Sequence, residues 1–275
     1  MTVVRRPISI GIAVLAAFAA SALYGVWRTR RLASYKANNA RVTNFEAGRC
    51  RSKGLVAHWK FDEATSFGTP DSSPAANHGR FELAPGAGVL EKPPRLVEGR
   101  VGKALELGQK QWVIGGNNDC FASEQITVAA WVWQKDESGT VPTIAAKSGF
   151  PFDGWWLCST STRIQGHERF IDLGIAWGSG YSHVNSGYQL PLREWHHIAA
   201  SLDNAAHEAQ FFVDGKPFGE KHVGISSWLI NWDHELFVGE YDGTGRWPWK
   251  GKLDDVRIYN RILSAQEVEA IYSSS

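Results

Sequence analysis

From Gly54 onward, short apolar runs alternate with clusters of Gly, Asp, Asn and Pro, the spacing of antiparallel strands joined by tight turns. The runs predict strands over Leu55–Phe61, Lys103–Leu107, Gln111–Ile114, Ile126–Gln134, Thr143–Lys147, Trp155–Ser159, Phe170–Trp177, Trp195–Leu202, Gln210–Val213, Glu235–Gly239 and Lys252–Tyr259. Within the fourth of these, Ile126, Val128, Ala130 and Val132 face one way and Ala129, Trp131 and Trp133 the other. A strand apolar on both faces belongs at the centre of a sheet. Asp214-Gly215 separates Phe211–Val213 from Lys216–Phe218, and this dipeptide accepts the positive φ angles of a type I′ hairpin turn. At the end of the chain Ser264 precedes Glu267 at capping-box spacing, with Val268, Ile271 and Tyr272 behind it, which predicts a short amphipathic closing helix. No internal repeat is visible, and no linker interrupts the stretch. Residues 54–275 therefore read as one all-β, two-sheet antiparallel sandwich.

The amino-terminal residues follow a different pattern. Ile8–Trp27 is uncharged over twenty residues, with Arg5 and Arg6 before it and Arg28, Arg30 and Arg31 after it. This is long enough to cross a bilayer. It also has the basic start, apolar run and small-x-small sites (Ala17–Ala19, Ala20–Ala22) of a signal peptide. Residues 1–31 are thus expected to be a signal peptide or a retained anchor helix, and the polar, aperiodic residues 32–53 a tether. The basic residues after the segment outnumber those before it, a balance that by itself would leave the domain in the cytoplasm.

Composition narrows the function classes. Thirteen Trp, thirteen Phe and 28 Gly with a single Met fit aromatic strands and turns rather than a helical bundle. Lys and Arg total 29 against 28 Asp and Glu, and this balance gives no electrostatic reason to bind nucleic acid. Cys50, Cys120 and Cys158 allow at most one internal disulfide. A Cys120–Cys158 bridge and buried free thiols are both open, and the three show neither zinc-site spacing nor an activating base.

A series of segments carries a family resemblance. In order they are Gly54-Leu-Val-Ala-His-Trp-Lys-Phe-Asp-Glu63, Asp71-Ser-Ser73, Asn77-His-Gly79 and Gly102-Lys-Ala-Leu-Glu-Leu107, then the strand Ile126–Trp131 and Ile144-Ala-Ala-Lys147. Trp195-His-His-Ile-Ala199, Phe212-Val-Asp-Gly215 and Gly251–Arg261 complete it. Together, over about Gly54 to Tyr272, they resemble the laminin G-like, concanavalin A-like jelly-roll domains of exported and surface proteins. The resemblance implies a jelly-roll sandwich held outside the cytoplasm, in the cell envelope or beyond it. It also implies no intrinsic catalysis in most members, frequent calcium, and binding to glycans or cell-surface proteins. Ser179–Leu190 and Ser226–Asp233 fit none of these landmarks, and loops that depart from a fixed scaffold are where specificity is expected.

On that resemblance Asp62, Asp71, Asn77 and Asp254 are the candidate calcium ligands, since calcium gathers oxygen donors from several loops. Alternation puts Asp254 on the face of Val256 and Ile258, so a partner is required: a metal, backbone N–H groups, or an Arg or Lys. His196 and His197 are neighbours on a strand, point to opposite faces and cannot chelate jointly. Glycan hydrolases of this architecture carry Glu-x-Asp-x-(x)-Glu on one strand. No such run occurs here, because Glu168 with Asp172, and Glu235 with Glu240, do not flank an Asp with two Glu. Trp59, Trp131, Trp155, Trp195 and Trp249 match core aromatics of the family. Trp177, Tyr181, Trp228, Trp232 and Trp247, with Arg246, lie in or beside turn-rich segments, where indoles can stack on sugar rings and Arg can donate to hydroxyls. The expected function is therefore carbohydrate or glycoconjugate recognition without catalysis. A structural or protein-binding envelope domain is the alternative, and a cryptic glycan hydrolase or lyase a further one.

Overall fold

The computed structural model describes residues 54–83, 92–108, 110–136, 141–149, 153–160, 169–177, 180–227 and 234–275. The strands are β1 (Leu55–Trp59), β2 (Gly68–Thr69), β3 (Gly79–Leu83), β4 (Arg95–Glu98), β5 (Lys103–Leu107), β6 (Gln111–Gly116), β7 (Gln125–Gln134) and β8 (Thr143–Gly149). They continue with β9 (Asp153–Ser159), β10 (Phe170–Trp177), β11 (Tyr181–Gln189), β12 (His196–Asp203), β13 (Glu208–Val213), β14 (Lys216–Val223), β15 (Leu236–Val238) and β16 (Gly251–Tyr259). A single α-helix among the described residues, α1 (Ala265–Ser273), closes the chain.

Two antiparallel sheets result. Sheet A runs β14-β13-β12-β7-β16-β5-β4, with β1 also on β16, and sheet B runs β11-β10-β9-β8-β15-β6-β3-β2. Each predicted strand finds a counterpart, and β7, apolar on both faces, lies between β12 and β16 as expected of a central strand. The all-β architecture is consistent with a jelly roll. The amino-terminal segment, with its expected anchor and tether, lies outside the described residues. Among the described residues no helix is long and apolar enough to cross a membrane.

Local rules set several joints. Asp214 and Gly215 have φ of 49° and 80°, the left-handed pair that a two-residue I′ turn needs, and they join β13 to β14. Ser264 caps α1, accepting from the Glu267 N–H while the Glu267 carboxylate accepts from the Ser264 N–H. Val268 and Ile271 of α1 pack with Ala129, Ala199, Phe212, Tyr259 and Leu263, so the helix covers part of the outer face of sheet A. Each such side chain, buried, contributes about 1.5–3 kcal/mol.

The face expected for Asp254 needs correction. Asp255 has φ of 48°, and the pairing of β16 with β7 shifts register between Asp254 and Arg257. This bulge reverses the alternation. Asp254 pairs with Trp131 and Ile258 with Val128, so Asp254 lies on the outer face and not on the face of Ile258. Of the alternatives left open for the cysteines, the Cys120–Cys158 bridge does not form. Cys120 is disulfide-bonded, while Cys158 is a buried free thiol on β9 whose Sγ donates to the Asp172 carbonyl at 3.6 Å. The remaining cysteine of the chain, Cys50, lies outside the described residues.

His196 and His197 point apart, as their adjacency requires. His196 is half-buried and meets the Asp214 carboxylate at 3.0 Å through Nδ1. His197 is 1 % exposed, lies against Trp131 and Tyr272 with ring centroids 5.4 and 5.9 Å away, and neither of its nitrogens has a hydrogen-bond partner among the described residues. Burial, then the Arg257 charge, pushes its pKa down to about 4 against the opposite pull of Asp255 and Asp214. The unfolded chain takes up this proton below about pH 6.5. Stability is therefore full above that pH and falls as pH drops toward about 4. His197→Phe is expected to remove about 2–3 kcal/mol of this acid loss, measured by urea denaturation at about pH 7 and about pH 4. The same pH dependence in both proteins would contradict the assignment.

Candidate functional site

The outer face of sheet B carries an aromatic cluster built by strand register. Trp155 and Trp156 are consecutive on β9, so they must face opposite sides. Trp156 pairs with Gly174 of β10, which pairs in turn with His183 of β11. A Cβ on Gly174 would sit 1.7 Å from the Trp156 ring, so the glycine is what lets the indole lie across the strand. Around Trp156, ring centroids lie 5.2 Å away for Tyr241, 5.5 Å for His183, 6.3 Å for Tyr181 and 6.4 Å for Trp247. Beneath the rings Trp156 packs with Val141, Ala146, Cys158, Ala176 and Tyr241.

The turn after β15 supplies the second side of the cluster. Glu240 is fully buried, and its carboxylate accepts from the N–H groups of Asp242 (2.8 Å), Gly243 and Trp247 (3.1 Å). Those bonds curl residues 240–247 and bring Trp247 against Tyr241, with centroids 4.4 Å apart. Burial pushes the Tyr241 hydroxyl up to about 12, and it accepts from Ser148 Oγ at 2.9 Å. The centre of the face is thus closed by contact between rings, and its rim is open: Tyr181 is 55 % exposed, Arg246 is exposed and Trp247 partly so.

Asp172 is the acid beside the aromatic cluster. It pairs with Cys158 on one side and Asn185 on the other, is 1 % exposed, and has Oδ2 3.6 Å from His183 Nδ1. Its Oδ1 has no hydrogen-bond partner among the described residues. Burial pushes its pKa up to about 7.

Of the residues expected to bind ligand, Tyr181, Trp247 and Arg246 come to this face. Trp177 does not share it. Ala176 pairs with Tyr181, and the next residue, Trp177, therefore turns to the opposite side, 37 % exposed. Trp228 and Trp232 lie outside the described residues. Trp156, Tyr241, His183 and Asp172 were not singled out for binding from sequence. The consecutive Trp155-Trp156 on a predicted strand was the available signal, since one of the two has to leave the shared core.

The four candidate calcium ligands form two separate structural knots. Asp71 accepts from His58 N (2.7 Å), Ser73 N (2.7 Å), Ser73 Oγ (2.7 Å) and Asn77 N (2.6 Å), and Asn77 Nδ2 donates to the Val56 carbonyl at 2.7 Å. Asp62 and Asp254 instead clamp the turn before β5: Asp62 accepts from Lys103 N at 2.8 Å, and Asp254 Oδ2 from Arg100 N and Val101 N at 2.8 and 2.9 Å. No group of three or more His, Cys, Asp and Glu able to hold a metal occurs among the described residues. Backbone N–H groups hold Asp62, Asp71 and one oxygen of Asp254, whereas Asp254 Oδ1 is buried with no hydrogen-bond partner among the described residues. Asp71→Ala is expected to cost about 2–4 kcal/mol in denaturant unfolding. A chelator-induced fall in melting temperature abolished by Asp254→Ala would assign Asp254 to a metal.

Comparisons with known proteins agree with this architecture. The family profile described as the concanavalin A-like lectin/glucanases superfamily matches residues 107–269, more than half of the chain. Mouse C-reactive protein is 21% identical over 179 residues, 55% of this chain and 79% of that protein. Domain 4 of AbnA, an extracellular arabinanase from Geobacillus stearothermophilus solved with arabinotriose, superposes with a TM-score of 0.60 at 19% identity, over 80% of this chain and 100% of that one. The binding domain of Paraclostridial Mosquitocidal Protein 1 gives a TM-score of 0.58 at 16% identity, over 80% of this chain and 52% of that one. At these identities the solved structures speak to the fold alone. With its two antiparallel sheets and the profile match, the chain belongs to the concanavalin A-like lectin/glucanases superfamily.

Proposed function

We propose that this protein is a non-catalytic recognition domain, exported or tethered at the cell surface, that binds carbohydrate on the outer face of sheet B. The observation that carries the reading is Tyr181, 55 % exposed and set beside His183 and Trp156 on a flat sheet face. An exposed aromatic ring on a rigid strand can stack on the apolar face of a sugar without a large ordering cost. Arg246 and Trp247 at the rim of the 240–247 turn supply a donor and a second ring. Membership of a lectin-containing superfamily and the arabinotriose complex of AbnA domain 4 support the same ligand class. The disulfide at Cys120 supports an oxidising compartment outside the cytoplasm.

Hydrolysis of a glycosidic bond needs two opposed carboxyl groups. Among the described residues the strands of this face carry the carboxyls of Asp172 on β10 and Glu82 on β3, separated by β9, β8, β15 and β6, and Glu240 is held by backbone N–H groups of its own turn. This supports binding without turnover. A protein partner is the second reading, because an exposed Tyr beside an Arg also suits a protein hot spot.

Tyr181→Ala is expected to weaken binding to glycans captured on an array by roughly tenfold or more, with the melting temperature unchanged because the ring projects into solvent. A silent array together with saturable capture of one purified envelope protein would favour the protein-binding reading instead.

A further inference from the structure

We propose that Trp131, Asp254 and Tyr272 form a cation-binding site on the outer face of sheet A that takes the guanidinium of an arginine side chain from a partner protein, and that Arg100 occupies it in the unbound chain. The proposal is independent of glycan binding on sheet B. Register builds the site: His197 of β12 pairs with Trp131 of β7, and Trp131 pairs with Asp254 of β16, so the three side chains share one face in a row. Tyr272 of α1 stands against this row, its ring 5.4 Å from that of Trp131 at an interplanar angle of 33°.

The row holds hydrogen-bonding capacity that the fold leaves unmet. Trp131 is 2 % exposed, His197 1 % and Asp254 fully buried, yet Trp131 Nε1, both His197 nitrogens and Asp254 Oδ1 have no hydrogen-bond partner among the described residues. Buried polar atoms left unpaired are costly, and a buried acceptor beside an indole face suits a cationic donor. The neighbouring charges leave Asp254 as the acid open to such a donor. Asp255, next along β16, is held by His58 and, at 2.8 Å, by Arg257, while His197, its pKa pushed down to about 4, is uncharged at neutral pH. Burial raises the Asp254 carboxyl to about 7, and an adjacent cation favours its charged form.

Arg100 shows what the site accepts. It stands at the tip of the hairpin between β4 and β5, closed by the Gly99 N–H on the Gly102 carbonyl at 3.0 Å, and Asp254 Oδ2 pins the tip by accepting from Arg100 N and Val101 N at 2.8 and 2.9 Å. From this pinned backbone the exposed side chain lays its guanidinium over the Trp131 ring, 4.8 Å from the centroid, which is cation–π distance. The guanidinium makes no hydrogen bond or ion pair among the described residues, so it meets the ring but not Asp254 Oδ1. An arginine arriving from solvent is not bound by the geometry of the hairpin, and it can stack on the ring while its N–H fork reaches that oxygen. A cation–π contact at an exposed site holds Arg100 in place by only roughly two- to fivefold, so the incoming side chain can displace it.

The test is a nitrogen–proton correlation spectrum of the isotope-labelled full chain, in detergent at about pH 8, titrated with N-acetyl-arginine amide and, separately, with N-acetyl-citrulline amide, its uncharged isostere. The arginine probe is expected to shift the Trp131 indole signal saturably, and the citrulline probe to leave it in place. Arg100→Ala, which empties the ring face, is expected to bind the arginine probe about three- to sixfold more tightly than the native chain. Asp254→Asn in that background is expected to lose the probe. Should that double variant not fold, the contrast between the two probes on Arg100→Ala reads the same need for a charged ligand. A Trp131 signal unmoved in Arg100→Ala, equal shifts with both probes, or no gain in affinity from Arg100→Ala would each overturn the proposal and leave carbohydrate binding on sheet B standing.

Discussion

A two-sheet sandwich buries one face of each sheet in the shared core and leaves the other for something else to cover. The rest of this structure depends on how that constraint is met. On sheet A the closing helix does the covering, with Val268 and Ile271 laid over Ala129, Ala199 and Phe212. On sheet B the 240–247 turn reaches only part of the way, bringing Tyr241 and Trp247 to Trp156. Beyond them the sheet ends in Tyr181, which nothing described covers. The open rim is what remains when one outer face is roofed by a helix and the other by a single turn.

Buried polar groups hold both roofs and loops in place. Asp71 ties the segment after β1 through four hydrogen bonds, Asp62 and Asp254 clamp the turn before β5, and Glu240 curls the turn that carries Trp247. Each carboxylate accepts N–H groups that a turn would otherwise leave unpaired, so these acids fix the shape of their turns, although Asp254 Oδ1 stays buried with no partner among the described residues. Asp172 differs from them. No backbone N–H group among the described residues bonds its carboxylate, whose Oδ2 lies 3.6 Å from His183 Nδ1 beside the Trp156 cluster.

Much of the fold was legible because apolar alternation survives wherever a strand lies inside a sheet. β7, β12 and β16 are such strands, and the Asp214-Gly215 turn and the Ser264–Glu267 box follow from local chemistry. The misses have physical causes. β11 lies at the edge of sheet B, mixes Tyr, Ser, His and Asn, and carries no apolar period. β3 and β4 are short and half-exposed. The side taken by Asp254 was misread because the bulge at Asp255 inserts a residue that alternation cannot detect. The site was half legible: Tyr181, Arg246 and Trp247 stood out as aromatic and basic residues near turns, whereas Trp156 sat in an apolar run that reads as core. Trp177 lies off this face because one step along a strand reverses a side chain.

Carbohydrate recognition on the outer face of sheet B, and not on the helix-covered face of sheet A, is what the proposed function requires. Its most direct test is a nitrogen–proton correlation spectrum of the isotope-labelled chain titrated with a glycan that it retains on an array. The account predicts saturable shifts of the Trp156 and Trp247 indole signals and of the Gly174 and Tyr181 amides, with the Trp131 indole unmoved. Shifts centred on Trp131 and the residues of α1, with Trp156 and Trp247 unchanged, would contradict it.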